Sequence, residues 1–245
     1  MTFVELEEVT RKQKVLAWSV HALTASGVIL ALMTLIAISR QDWRLVFVLM
    51  AANIIIDGFD GTLARRAQVK AVLPGFDGAL LDNIIDYLTY AFIPAYFVQA
   101  AGLVEGNWAI AAAVIIVLSS AYQFCQYDAK TEDNYFKGFP SYWNIAVYYL
   151  FLLNWPSWIN FAFLTLLAIL VFVPVKYIYP SRTAEFRRAT HIATGLWTIA
   201  QVWMIITFPD PPTWLVWGSM LYAFYYAGLS IYLTLRSRVG AAPSQ

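Results

Sequence analysis

The sequence Asp57-Gly-Phe-Asp60-Gly61-Thr-Leu-Ala64-Arg65 is followed, after a gap of twelve residues, by Gly78-Ala-Leu-Leu-Asp82-Asn-Ile-Ile-Asp86. The four aspartates lie within or beside long apolar runs, where an unpaired charge is costly. At about 100° per residue, the two acids of each segment share one helix face, and in the first segment Gly61 and Ala64 share it with them. We therefore predict two facing helices that present four carboxylates and a wall of small residues to a common pocket.

The chemistry that suits this pocket is the binding of hard divalent cations. An all-oxygen cluster favours Mg²⁺ or Mn²⁺, and four carboxylates could hold two such ions. The small side chains of Gly61 and Ala64 would let a bulky phosphorylated group approach the backbone.

The spacing of these residues resembles the signature of the CDP-alcohol phosphotransferase family of membrane enzymes, which is D-x2-D-G-x2-A-R-x8-G-x3-D-x3-D. The chain departs from it in the gap before Gly78, which has twelve residues where the signature has eight. This longer gap, which contains Pro74 and Gly75, is similar to that of the phosphatidylcholine synthase branch. The matching positions are Asp57, Asp60, Gly61, Ala64, Arg65, Gly78, Asp82 and Asp86.

The resemblance implies a reaction in which an alcohol hydroxyl attacks CDP-diacylglycerol and CMP leaves. It implies two divalent metals per site, Mn²⁺ or Mg²⁺, and a general base, Asp86, that is also a metal ligand. It further implies a homodimer in a bacterial-type inner (cytoplasmic) membrane. The implied metal ligands are Asp57, Asp60, Asp82 and Asp86. The residues implied in binding CDP-diacylglycerol are Thr24, Asp57, Asp60, Gly61, Ala64, Arg65 and Gly78.

The composition is that of an integral membrane protein. Of the 245 residues, 60% are hydrophobic and 13% are charged, whereas soluble domains carry about 25% charged residues. Aromatic residues make up 17% of the chain, as expected where side chains line the two membrane interfaces. The net charge of +1 provides no basic excess for nucleic acid, so we expect a lipid bilayer and no nucleic acid as partner.

Eight apolar runs follow one another along the chain. A spanning helix needs about 20 residues, and only the fifth run is clearly short of this length. We predict an all-α, polytopic membrane helix bundle with about eight transmembrane helices, which forms a single domain over residues 1–245. A short amphipathic helix within residues 2–14 would lie at the membrane surface. The runs are 17–38, 44–64, 79–101, 108–127, 142–155, 157–179, 189–207 and 213–235.

The basic residues predict the orientation of the bundle. With a cytoplasmic N-terminus, Arg40 and Arg44 are the only two basic residues on the far side, against fourteen on the cytoplasmic side. The four aspartates then lie near the cytoplasmic face, where a nucleotide-linked lipid and a soluble alcohol could both reach them. The fourteen are Arg11, Lys12, Lys14, Arg65, Arg66, Lys70, Lys130, Lys137, Lys176, Arg182, Arg187, Arg188, Arg236 and Arg238.

For the acceptor, the resemblance implies choline, a permanent cation that aromatic faces can surround at about 0.5–2 kcal/mol per contact. Tyr90 lies on the predicted face of the second pair of acids, Tyr87 is turned about 100° away, and Tyr177 lies at a cytoplasmic helix end. Each tyrosine alone is more typical of packing or of a membrane-interface belt. Serine, inositol and glycerol 3-phosphate remain alternative acceptors, and Lys176 and Arg182 could bind the acidic group of serine or of glycerol 3-phosphate.

Two other interpretations stay open at this point. The acids could form purely structural ion pairs with Arg65, Arg66 and Lys70, although four acids at this spacing make that the weaker interpretation. Membrane carboxylates also mark ion paths, so a cation or proton transporter is the competing function. Against a transporter, the acids cluster at one membrane face, and the remaining helices contain no relay of ionisable residues.

Overall fold

The computed structural model describes residues 9–240, with side chains as far as residue 237. The predicted amphipathic helix starts in residues 2–8, which lie outside the described residues, and from Arg11 onward the chain belongs to the first long helix. The helices are α1 (Arg11–Ser39), α2 (Trp43–Arg66), α3 (Val69–Val72), α4 (Gly78–Asp86), a π segment (Tyr87–Phe92), α5 (Ile93–Ala100), α6 (Asn107–Cys125), α7 (Trp143–Leu153), α8 (Ser157–Phe172), α9 (Arg187–Thr207) and α10 (Thr213–Gly240).

Helices α1 and α2 form a hairpin against which α4 packs. The turn ends at Asp42, whose carboxylate caps α2 by accepting from the Leu45 N–H at 3.2 Å. A Cβ at Gly27 of α1 would come within 2.8 Å of the Ile85 side chain and 3.3 Å of the Asn53 side-chain oxygen. Because Gly27 has no side chain, α1 can approach both α2 and α4 closely.

The twelve-residue gap between the two parts of the motif is partly helical. Its short helix α3 packs Val69 and Val72 against Ala17 and Val20 of α1. Asp77 then caps α4, because its carboxylate accepts from two backbone N–H groups in the first turn of that helix at 3.1 and 3.0 Å. The gap thus fixes where α4 begins relative to α1.

The helical segment that starts with α4 changes its winding after Asp86, where the π segment begins. Pro94 explains the change, because proline has no N–H for the carbonyl four residues earlier and its ring crowds that carbonyl. Just before it, the Ile93 N–H bonds to the Leu88 carbonyl, five residues earlier. The Thr89 hydroxyl donates to the Ile85 carbonyl at 3.0 Å, so this wide turn keeps that carbonyl paired.

A small antiparallel sheet joins two loops and adds to the predicted all-α architecture. Strand β1 (Tyr135–Lys137) pairs with β2 (Lys176–Ile178). Lys137 pairs with Asp128 at 2.5 Å, and Lys176 pairs with Asp133 at 2.6 Å. The bond from Lys137 lowers the pKa of Asp128 below its usual value. The sheet therefore ties the loop after α6 to the loop after α8.

The bundle is that of an integral membrane protein. Helices α1, α2, α6 and α9 are long and apolar enough to cross a membrane, and α7 and α8 are apolar but shorter. Large apolar side chains are exposed on the outer faces, including Ile192 and Leu196 of α9 and Leu221 of α10. A bilayer would cover these apolar side chains, whose exposure to water is unfavourable.

Candidate active site

Four aspartates from two helices meet at one small cavity. Asp57 and Asp60 come from α2, whereas Asp82 and Asp86 come from α4. Carboxylate oxygens of three of them, Asp57, Asp82 and Asp86, lie within 4.8 Å of one another. All four acids line a cavity of about 10 Å³, which is room for about one water molecule or small ion. The two helices therefore bring the predicted acids together.

Within residues 9–237, no basic side chain forms an ion pair with these acids, and the two ion pairs found there are those at the sheet. Arg65 donates instead to the Thr62 hydroxyl at 3.0 Å. Lys130, which is exposed in the loop after α6, likewise forms no ion pair with them. Four convergent carboxylates without a contacting cation fit a divalent metal, which accepts oxygen ligands of this kind.

Two hydroxyl groups hold individual carboxylates in place. Thr24 of α1 donates to Oδ2 of Asp60 at 2.8 Å, and Tyr90 of the π segment donates to Oδ2 of Asp57 at 2.8 Å. Thr24 also lines the cavity, so this predicted residue does lie beside the acids. Asp60 is buried, with 4% of its surface exposed. A hydrogen bond to a charged group is worth about 1.5–3 kcal/mol, which is enough to favour one carboxylate orientation.

The small residues of the motif lie outside the cavity lining. Ala64 packs in the cluster that joins α3 to α1. Gly78, the first residue of α4, lies against His21 of α1, where a Cβ would overlap the imidazole ring. A Cβ at Gly61 would lie 3.4 Å from the Arg65 guanidinium. In the structure, Gly78 therefore lies against His21 and does not line the cavity.

The three tyrosines predicted to bind the acceptor occupy different places. Tyr90 is 7% exposed and contacts an acid directly through its hydroxyl. Tyr177 of β2 stacks on Tyr226 of α10, with ring centres 5.9 Å apart. Tyr87 faces α6, because its hydroxyl donates to the Val117 carbonyl at 3.1 Å. The structure therefore places Tyr90 beside the acids and packs Tyr87 against another helix.

A continuous set of rings connects Tyr90 to Tyr177. The ring centres of Tyr90 and Tyr142 are 6.0 Å apart, and those of Tyr142 and Tyr226 are 6.3 Å apart. We call Tyr90, Tyr142, Tyr226 and Tyr177 the aromatic wall. Phe136 of β1 contacts it through Tyr142, at 6.2 Å. Sequence reasoning missed Tyr226 and Phe136, because their helix and strand are distant in sequence from the motif.

Comparison with known proteins decides the family. The sequence profile of the family described as CDP-alcohol phosphatidyltransferase matches residues 19–175, a range that includes all four aspartates. The chain belongs to this family. It is therefore a membrane-embedded transferase, and the transporter interpretation loses its support.

Several members of the CDP-alcohol phosphatidyltransferase family are similar to this chain over almost its whole length. A protein of Legionella pneumophila named phosphatidylcholine synthase is 40% identical over 232 residues, which cover 92% of this chain and 91% of the relative. One of the same name from Borreliella burgdorferi is 40% identical over 228 residues, or 91% and 97% of the two chains. A third, from Pseudomonas aeruginosa, is 38% identical over 229 residues, or 93% and 95%.

The contact between Gly78 and His21 can be tested by a double-mutant cycle. We expect Gly78→Ala to lower the midpoint of thermal unfolding, because an added methyl overlaps the ring and overpacking costs about 1–3 kcal/mol. The same change should cost clearly less in a His21→Ala background, where the ring is absent. Thermal unfolding of the detergent-purified protein measures both costs.

Gly75→Ala is the matched control, since a Cβ there meets nothing within 4 Å. An equal cost of Gly78→Ala in both backgrounds would mean that contact with His21 is not what requires the glycine.

Proposed function

We propose that this enzyme transfers the phosphatidyl group of CDP-diacylglycerol to the hydroxyl of choline, with phosphatidylcholine and CMP as products. The observation that carries the proposal is the cavity where four carboxylates meet beside the aromatic wall. Relatives named phosphatidylcholine synthase, which are similar over more than nine tenths of this chain, support choline as the acceptor.

The four aspartates are proposed to hold divalent metal, Mn²⁺ or Mg²⁺, with two ions per site. The oxygen-only donor set supports this proposal, and so does the lack, within residues 9–237, of a basic side chain that is ion-paired to these four acids. When bound, such ions offset the negative charge of the diphosphate in CDP-diacylglycerol. The residues proposed to contact CDP-diacylglycerol are Thr24, Asp57, Asp60, Gly61, Ala64, Arg65 and Gly78.

Asp86 is proposed as the general base. It is the last residue of α4 and precedes the π segment that carries Tyr90, so it is the acid next to the aromatic wall along the chain. In the proposed step, the choline hydroxyl gives its proton to a carboxylate oxygen of Asp86. The choline oxygen forms a bond to the phosphorus that carries diacylglycerol, the bond from that phosphorus to CMP breaks, and CMP leaves with the electron pair.

The aromatic wall is proposed to surround the trimethylammonium group of choline. Its rings include two of the tyrosines predicted from the sequence, Tyr90 and Tyr177, and each cation–π contact contributes about 0.5–2 kcal/mol. Lys176 is paired with Asp133, so it already has an acidic partner, whereas Arg182, which stacks over Tyr179 at 5.1 Å, keeps its N–H donors. The pairing of Lys176 favours choline over serine and glycerol 3-phosphate.

We also infer the arrangement of the enzyme in its membrane. The segment from Gly78 to Ala100 would form the third of eight spans, and α7 and α8 would form the fifth and sixth. The uneven distribution of basic residues supports a cytoplasmic N-terminus and a cytoplasmic active site in a bacterial-type inner membrane. The homodimer implied by the family resemblance is part of the same proposal.

The choice of acceptor can be tested with purified protein in detergent, CDP-diacylglycerol and Mn²⁺. Choline, serine, inositol and glycerol 3-phosphate are compared side by side, and lipid product and CMP are both measured. We expect product with choline only, and its loss on addition of a chelator, because the diphosphate charge would then be unscreened. Product formed only with another alcohol would overturn choline as the acceptor, and full turnover in chelator would overturn the metal requirement.

The role of Asp86 can be tested by Asp86→Asn, which keeps the shape of the side chain and removes its capacity to accept a proton. We expect a folded protein with less than a few per cent of wild-type CMP release at saturating choline. Asp210→Asn, the same change at an exposed position in the loop before α10, should leave CMP release unchanged. Substantial turnover by Asp86→Asn would remove Asp86 from the role of general base.

A further inference from the structure

Tyr90 contacts an acid of the cavity through its hydroxyl and another tyrosine of the aromatic wall through its ring. Within residues 9–237, no other residue of the wall makes both contacts. The Tyr90 hydroxyl donates to Oδ2 of Asp57 at 2.8 Å, and its ring lies 6.0 Å from that of Tyr142. Within residues 9–237, no second side-chain donor contacts the Asp57 carboxylate. Tyr90 itself is buried, so water has little access to replace this bond.

The bond to Tyr90 leaves the second carboxylate oxygen of Asp57 without a protein donor within residues 9–237. A carboxylate of Asp57 lies within 4.8 Å of those of Asp82 and Asp86, beside the small cavity. A hydrogen bond to one oxygen of a carboxylate restricts its rotation and thereby aims the other oxygen. Thr24 makes the corresponding bond to Asp60, and both residues line the same cavity.

We propose that Tyr90 is a positioning residue, whose hydroxyl holds the Asp57 carboxylate in the orientation that binds the divalent metal. This inference rests on the proposed function, in which the four aspartates are metal ligands. Partners in the shell around a metal site typically contribute about 10- to 100-fold to metal affinity. Tyr90 would then serve the metal through its hydroxyl and the acceptor through its ring.

Tyr90 lies in the wide turn of the helix that carries the second pair of acids. Asp57 lies on α2, across the cavity from the helix that carries Tyr90. Tyr90 is the residue four positions before Pro94, so its carbonyl is the one that loses an N–H partner and is crowded by the proline ring. The winding at Tyr90 is therefore not that of the α-helix that carries Asp82 and Asp86.

The test is Mn²⁺ binding to the substrate-free, detergent-purified protein, measured from the electron paramagnetic resonance signal of free Mn²⁺. Tyr90→Phe removes the hydroxyl and keeps the ring, so packing against Tyr142 is retained. We expect Tyr90→Phe to weaken Mn²⁺ binding by about 10- to 100-fold. Tyr135→Phe is the matched control, because the Tyr135 hydroxyl also donates to a carboxylate, that of Glu185 at 2.7 Å, outside the cavity lining.

Enzyme kinetics separate the two roles of Tyr90. At saturating Mn²⁺, Tyr90→Phe should keep the wild-type KM for choline, because the ring remains. Tyr90→Ala should weaken Mn²⁺ binding and raise the KM for choline, because hydroxyl and ring are both lost. If Tyr90 merely supported the fold, its substitution would not change the metal affinity separately from the KM for choline.

Two outcomes would overturn the inference, and they are distinguishable. Wild-type Mn²⁺ affinity in Tyr90→Phe, with phosphatidylcholine still formed, would remove the role of Tyr90 and leave the proposed function intact. Wild-type protein that neither binds Mn²⁺ nor needs metal for turnover would overturn the metal part of the proposed function, and the inference with it.

Discussion

Charge burial is the constraint on which the rest of this structure depends. Four carboxylates lie on membrane helices, they converge on a cavity of about 10 Å³, and none forms an ion pair within residues 9–237. Taking unpaired charge out of water costs several kcal/mol, so such a cluster persists only when something compensates for it. Within residues 9–237, the side chains that donate hydrogen bonds to these acids are Thr24 and Tyr90. A divalent cation supplies the remaining compensation in the proposed function.

The surrounding helices are built to hold these acids close together. Gly27 lets α1 approach α2 and α4, so that Thr24 reaches Asp60. The cap at Asp77 fixes the start of α4, and Tyr90, which lies in the wide turn after Asp86, reaches Asp57 of α2. The sheet ties the loops after α6 and α8 together and brings Tyr177 to the aromatic wall. The groups that are proposed to act in catalysis and to bind the acceptor thus come from distant parts of one chain.

The sequence was sufficient to predict that the four acids meet between two helices. It was insufficient to predict the contacts around them. Aspartates at helical spacing inside apolar runs are conspicuous, because their cost demands a reason. Regular helical spacing was enough to distinguish Tyr90 from Tyr87, since Tyr90 does contact an acid whereas Tyr87 contacts α6. The π segment was not predicted, and Pro94 was the signal that could have indicated it. The contact of Gly78 with His21 and the short sheet depend on tertiary packing, which local patterns do not encode. The amphipathic helix stays a prediction, because residues 2–8 lie outside the described part.

The measurement that tests the central claim most directly is an experimental structure of the enzyme with Mn²⁺, in which anomalous scattering locates the ion. The account predicts anomalous peaks for two ions at the four carboxylates, one of them between Asp57, Asp82 and Asp86 and within about 2.0–2.2 Å of their oxygens. It would be contradicted by the absence of a peak at saturating Mn²⁺. A peak bound elsewhere, with a lysine or arginine paired to the four acids, would contradict it equally.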